Sequence, residues 1–88
     1  MKYVALQPAA GGTIEYRLGL LTTHADMAAP LLERGYRVVS AGFVRCLGGD
    51  RFETFGYSTS LNATPHADDA RVISALHMAV LKMAPVPI

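Results

Sequence analysis

The stretch over residues 36–61 constrains the fold most, because two β-rich runs are joined there by the glycine pair Gly48-Gly49. Consecutive glycines supply the positive φ angles of a tight hairpin turn. Antiparallel pairing about this turn places Gly42 opposite Phe55. A ring fills the space over a cross-strand glycine, so the face with Phe55 and Tyr57 is predicted to point to the core.

The second face of this hairpin combines arginine with aromatic and β-branched side chains. It is the candidate contact surface, and it consists of Arg37, Val39, Phe43, Arg45 and Phe52. Arginine and aromatic residues are enriched where proteins bind proteins, which makes a protein partner the first interpretation. The same residues stack on unpaired bases in sheet-based RNA binders, so single-stranded nucleic acid is an alternative. An apolar sheet face covered by a helix or a dimer mate is the second interpretation, and nucleic acid is the third because the net charge is almost neutral.

An earlier hairpin is predicted where residues 2–7 and 13–21 alternate in polarity around a Pro- and Gly-containing loop. The register that superimposes the two apolar faces pairs Gln7 with Thr13, Leu6 with Ile14, Val4 with Tyr16 and Lys2 with Leu18. A three-stranded sheet with residues 2–7 irregular is the structural alternative.

Two helices are predicted. The first begins at Thr22 or Thr23, whose oxygen caps a free backbone N–H, and ends before Gly35; Pro30 predicts a kink or two short pieces. The second spans residues 65–83, with Thr64 as its cap. Its apolar stripe is Val72, Ile73, Leu76, Ala79, Val80 and Met83.

The predicted order is therefore ββαββα. The fold class is α+β: a four-stranded, mainly antiparallel sheet with two helices packed on one face. Residues 1–84 form a single domain, and residues 85–88 form a proline-containing C-terminal tail.

The two halves share short features, since a glycine pair and a His-Ala-Asp unit each occur twice. An internal duplication is one interpretation, and chance recurrence of common turn and helix-start residues is the other. Alignment of the halves turns Phe52 inward and Glu53 outward, against the register given above. A β-bulge near Arg51 would reconcile the two.

Composition favours association. The chain has 88 residues, of which 51% are hydrophobic and 17% charged, against about 25% charged in ordinary domains. Leftover apolar surface predicts a homodimer. A net charge of +1 argues against a dedicated nucleic-acid or membrane binder. The single cysteine and the absence of a signal-like or membrane-spanning stretch predict the cytoplasm.

Catalytic and metal-binding patterns are weak. Cys46 has no surrounding cysteine motif, and the glycine pair lacks the lysine of a phosphate loop. His24 with Asp26, and His66 with Asp68 and Asp69, match the chemistry of helix starts better than the spacing of a metal site. We predict a non-catalytic chain without a cofactor, with a small metal-dependent or cysteine enzyme as the remaining alternative.

Three segments, GYRVVSAGFVRC, FGYSTSL and HADDARVI, resemble small uncharacterised proteins encoded in bacterial prophages. The resemblance covers residues 24–77 and includes no functional motif, so no active residue carries over. It implies a short accessory protein in a bacterial cytoplasm, a class that often acts by binding a host or phage component.

Overall fold

The computed structural model describes residues 1–83, with side chains described for residues 1–78. Its elements are β1 (Lys2–Pro8), β2 (Glu15–Gly19), α1 (His24–Glu33), β3 (Tyr36–Gly48), β4 (Arg51–Phe55) and α2 (Asp69–Met83). The predicted α+β class and ββαββα order are confirmed. The predicted tail at 85–88, the end of the predicted domain at Ala84, and the stripe side chains of Ala79, Val80 and Met83 lie outside the described residues.

The strands form one antiparallel sheet in the order β2-β1-β3-β4. The side chains at 3–6 of the central strand β1 are all fully buried. Successive strand residues point to opposite faces, so both faces of the sheet must be covered. We call the side with Val4 and Leu6 face A and the side with Tyr3 and Ala5 face B. The three-stranded alternative is wrong, because β1 is fully paired.

Each face carries one helix. On face A, Val4 and Leu6 pack against α1 in a cluster with Ala28, Leu31 and Ala41. On face B, Tyr3 packs with Val44 and with Ile73 of α2. The predicted placement of both helices on one face is therefore wrong. An apolar β1 with both of its faces buried needs a layer on each side.

Helix α1 begins as the sequence predicts, because the Oγ1 of Thr23 accepts the N–H of Asp26 at 3.1 Å. Gly35 follows the helix with a φ of +85°, a conformation typical of glycine after a helix. The helix continues through Pro30, which lies exposed on its outer side. The predicted division into two pieces is thus wrong. The hydrogen bond that proline cannot donate is missing within one continuous helix.

The turn between β3 and β4 consists of Gly49 and Asp50, one residue later than predicted, because Gly48 ends β3 and pairs with Arg51. Gly48 and Gly49 both have positive φ, as predicted. A bulge between Cys46 and Gly48 shifts the register, so that Phe52 lies opposite Cys46 and Glu53 opposite Arg45. A one-residue shift moves every side chain of a strand to the other face. The first predicted register is therefore wrong for β4, and the alternative with a bulge near Arg51 is confirmed: Phe52 points to face B, and Glu53 points to face A.

The first hairpin is also displaced by one residue. Leu6 pairs with Glu15 and Ala5 pairs with Tyr16, where the sequence predicts Leu6 with Ile14. The connection between the paired residues of β1 and β2 is therefore one residue longer than the alternation of apolar residues in the two strands predicts. The shift places Tyr16 on face B, next to Tyr3.

Gly42 is covered by a different residue from the one predicted. A Cβ built on Gly42 would lie 2.7 Å from the Cγ of Pro65 and 2.9 Å from the carbonyl oxygen of Phe55. Pro65 thus fills the space over this glycine, while the ring of Phe55 stacks on Phe43. The predicted helix start at Thr64 is wrong, because the carbonyl of Thr64 accepts the N–H of Ala41 and α2 begins at Asp69.

We predict that Gly42→Ala lowers the free energy of unfolding by about 1–3 kcal/mol, because the new methyl group overlaps the Pro65 ring and strand backbone. Urea unfolding measures the change. Gly19→Ala is the matched control, since its nearest neighbour is the flexible end of Met27 at 3.3 Å. Equal losses in the two variants would contradict the close approach of Pro65.

Candidate interaction surface

The start of α2 is held on face B by a buried carboxylate. Asp69 is 2% exposed, and its two oxygens accept the hydroxyls of Tyr3 at 2.6 Å and Tyr16 at 2.8 Å. The backbone N–H of His66 donates to the same carboxylate at 2.8 Å. These contacts, which we call the Asp69 cluster, connect the helix to both β1 and β2.

The Asp69 cluster shifts three pKa values. Burial alone would raise the pKa of Asp69, but hydrogen bonds, led by those from Tyr3 and the His66 amide, hold it below its usual 3.8. Burial, followed by the hydrogen bond to Asp69, raises the pKa of Tyr3 and of Tyr16 well above 10. The carboxylate is therefore ionised and both hydroxyls are protonated at neutral pH.

Further along, α2 lies over the β4 side of the sheet. The Oγ of Ser74 donates to the carbonyl of Asp50 at the hairpin turn. The ring of His77 is exposed and meets Phe52 edge-on with centroids 5.2 Å apart. Among the described residues, α2 therefore covers β1 and β2 only near Asp69 and Ile73, and Leu18 of β2 stays exposed on face B.

A cleft opens at that side, which we call the apolar cleft. Its volume is about 360 Å³, and it is lined by Met1, Leu18, Phe52, Ile73, Leu76 and His77. Leu18 is 45% exposed and Leu76 is 46% exposed. Met1 is fixed in place, because its amino group donates to the carbonyl of Val44 at 3.2 Å.

Apolar exposure continues from the cleft along β2. Ile14 before the strand and Leu20 after it are both exposed, and Leu21 is 99% exposed. Strand β2 is also an edge of the sheet, with one side of its backbone unpaired among the described strands. An exposed apolar edge next to an apolar cleft is typical of a site where another chain docks.

A second hollow, of about 400 Å³, lies between the β3–β4 turn and α2. Its lining includes Arg51 and Arg71, but also the side chain of Asp50. Arg71 lies 3.8 Å from Asp68 as well. Since charges of both signs meet here, the hollow favours no particular charge in a ligand.

The structure does not bring the five predicted contact residues onto one surface. Phe43 and Arg45 lie on face A, whereas Phe52 lies on face B beneath α2. Arg37 pairs with Gln7 on the face B side and donates to its side chain at 2.9 Å. Val39 is the residue skipped where the pairing of β1 and β3 shifts. The two bulges thus place on different faces the five contact residues that a regular alternation of side chains along the strands would place on one face.

The face A part of that set forms an aromatic cluster. The Arg45 guanidinium carbon lies 4.5 Å from the centre of the Phe55 ring, and Phe43 stacks on Phe55 at 5.7 Å. The Nε of Arg45 donates to Glu53 at 2.8 Å. The arginine charge is therefore compensated within the sheet, by a glutamate that the predicted register placed on the other face.

Metal and thiol chemistry receives no support from these contacts. The described residues contain no group of three or more His, Cys, Asp or Glu side chains that would hold a metal ion. The Nε2 of His24 lies 2.7 Å from the carbonyl of Gly42, inside the fold. Cys46 is exposed, with its sulfur 3.9 Å from the carbonyl of Gly49.

Over the portion of the chain that is described, neither helix has the length and apolar character needed to cross a bilayer. Comparison with known proteins gave no match to a family model, to a curated protein or to a solved structure.

We predict that Asp69→Asn lowers the free energy of unfolding by about 1–3 kcal/mol at neutral pH, because charged hydrogen bonds to two buried hydroxyls are lost. The folded-state pKa of Asp69 is lowered, so this contribution is present above pH 3.8 and disappears as the pH falls through the folded-state pKa. Urea unfolding from about pH 5 to about pH 2 should show the gap between wild type and variant closing.

Asp68→Asn is the control for this prediction, because that neighbouring carboxylate is exposed. Its contact with Arg71, at 3.8 Å, is exposed as well. Its effect should stay within about 0.5 kcal/mol. A gap between wild type and Asp69→Asn that keeps its size at low pH would contradict an ionised Asp69.

Proposed function

We propose that the chain is a small non-catalytic interaction module that binds protein through the apolar cleft and the adjoining β2 edge, and that its partner is a second copy of itself. One observation carries the proposal. Leu18 and Leu76 are both nearly half exposed, and they line the same apolar cleft from the sheet and from the helix.

Physical reasons support association at this surface. Removal of apolar area from water favours association. The cleft is preorganised, since the Asp69 cluster holds α2 at one end and the Met1 amino group is bonded to β3. A preformed site loses little conformational entropy on binding.

Self-association fits the chain as a whole. Its 51% hydrophobic and 17% charged residues leave apolar side chains outside the core, and those on β2 and α2 adjoin one another. A second copy brings an identical apolar surface, so that each covers the other across a two-fold axis.

Single-stranded nucleic acid is the weaker candidate. The stacking of Arg45 on Phe55 favours it. However, Glu53 compensates Arg45, and the net charge of the chain is only +1. Phosphate contacts dominate the affinity of nucleic-acid binders, and they need uncompensated cations.

A bacterial cytoplasm is the setting proposed for this module. The resemblance of residues 24–77 to prophage-encoded proteins is the support, together with a single cysteine that has no internal partner for a disulfide.

We predict that the wild-type chain is a dimer across a hundredfold concentration range in light scattering. Leu18→Asp and Leu76→Asp should each weaken the dimer by about tenfold or more, because a carboxylate would have to be buried in the interface. Leu32→Asp is the matched control, since that leucine is 42% exposed on α1, which covers the opposite face.

Circular dichroism would establish that each variant keeps the fold. A monomeric wild-type chain over the whole range would overturn self-association. Equal weakening by Leu32→Asp would show that the effect is not specific to the cleft.

A further inference from the structure

The two edges of the sheet differ in what surrounds them. Strand β4 lies at one edge, but α2 packs against it and its Glu53 is bonded to Arg45. Strand β2 lies at the other edge, with apolar side chains exposed on face B. Among the described strands, none pairs with the side of β2 that points away from β1, and the backbone groups on that side can pair with an added strand.

The charges of β2 form a self-complementary pattern. Glu15 and Arg17 point to face A, since they pair with Leu6 and Val4 of β1. They are two residues apart, carry opposite signs and lie 3.1 Å from each other, with both side chains partly exposed. Two like charges at these positions would repel the same residues in a second copy. With one acidic and one basic residue, antiparallel pairing reverses the order of the second copy and brings opposite charges together.

We propose that two copies of the chain join their β2 strands antiparallel about a two-fold axis at Tyr16, giving a continuous eight-stranded sheet. This inference rests on the proposed function and specifies its geometry. Glu15 of each copy then lies directly opposite Arg17 of the partner subunit, at a Cβ separation of about 4.5–5.5 Å. Opposite charges in directly paired positions stabilise a sheet, and the pairing makes two such contacts.

Neighbouring registers lack this match. An axis at Arg17 places that arginine opposite its own copy, and an axis at Glu15 does the same for the glutamate. A shift by a single position aligns the charged face of one strand with the apolar face of the other. The register at Tyr16 alone pairs both charges with opposite charges and keeps the faces of the two sheets in agreement.

The same register also joins the apolar surfaces. Residues directly opposite in an antiparallel pair point to the same face, so Leu18 of face B meets Ile14 of the partner subunit if the pairing extends one residue beyond β2. Both α2 helices then lie on the same side of the extended sheet. The two apolar clefts then adjoin one continuous apolar surface, formed on face B by the β2 strands of both copies. This surface accounts for the apolar side chains that are exposed along β2.

Charge exchange provides the test. Glu15→Arg alone places two arginines opposite two arginines in the dimer, and Arg17→Glu alone places glutamates opposite glutamates. Each single variant should weaken the dimer by about tenfold or more at low salt. The double variant E15R/R17E restores both pairs and should regain wild-type affinity, as should an equimolar mixture of the two single variants.

Sedimentation equilibrium at low salt measures these affinities, and circular dichroism checks that each variant is folded. Single variants that dimerise as tightly as wild type, or a double variant and a mixture that both stay monomeric, overturn the register. If Leu76→Asp weakens the dimer and the charge variants do not, the proposed function stands and this inference falls. A monomeric wild-type chain overturns both.

Discussion

The ion-dipole contacts of one buried carboxylate determine where the second helix lies. Asp69 begins α2 and accepts a hydroxyl from each of two adjacent strands, through Tyr3 and Tyr16. A buried charge is tolerated only while its hydrogen bonds are complete, so the helix start, β1 and β2 must be placed together. The apolar cleft is the space that this placement leaves, because α2 continues from Asp69 across the β4 side of the sheet.

The two-sided burial of β1 explains the layered arrangement. A strand with alternating polarity needs one cover, but residues 3–6 are apolar or aromatic without interruption and are all fully buried. Helix α1 covers face A with Ala28 and Leu31, and α2 covers face B with Ile73. The two helices therefore cover opposite faces. Among the described residues, the sheet stays exposed at the β2 edge on face B and at the β4 side of face A, where Phe55 is 38% exposed.

Local features were predictable from sequence, and non-local ones were not. The positive φ of Gly48 and Gly49 and the Thr23 cap depend on residues next to one another, and the structure confirms both. The turn itself lies one residue later than predicted, at Gly49 and Asp50. The likeness of the two halves indicated a bulge near Arg51, but only as one of two registers, and a slip of one residue reverses every side chain beyond it. For the same reason the predicted contact residues Phe43 and Phe52 separate. No local signal joins Asp69 to tyrosines 66 and 53 residues away, although an acidic residue at a helix start was itself expected.

The fixed position of Met1 has a practical consequence. Its amino group donates to Val44, and its side chain lines the apolar cleft. Any polypeptide joined to that nitrogen would remove the charge from a hydrogen-bond donor in the sheet and would emerge at the mouth of the cleft. An affinity tag placed there would act as a tethered competitor at a high local concentration, and it would compete with whatever the cleft holds.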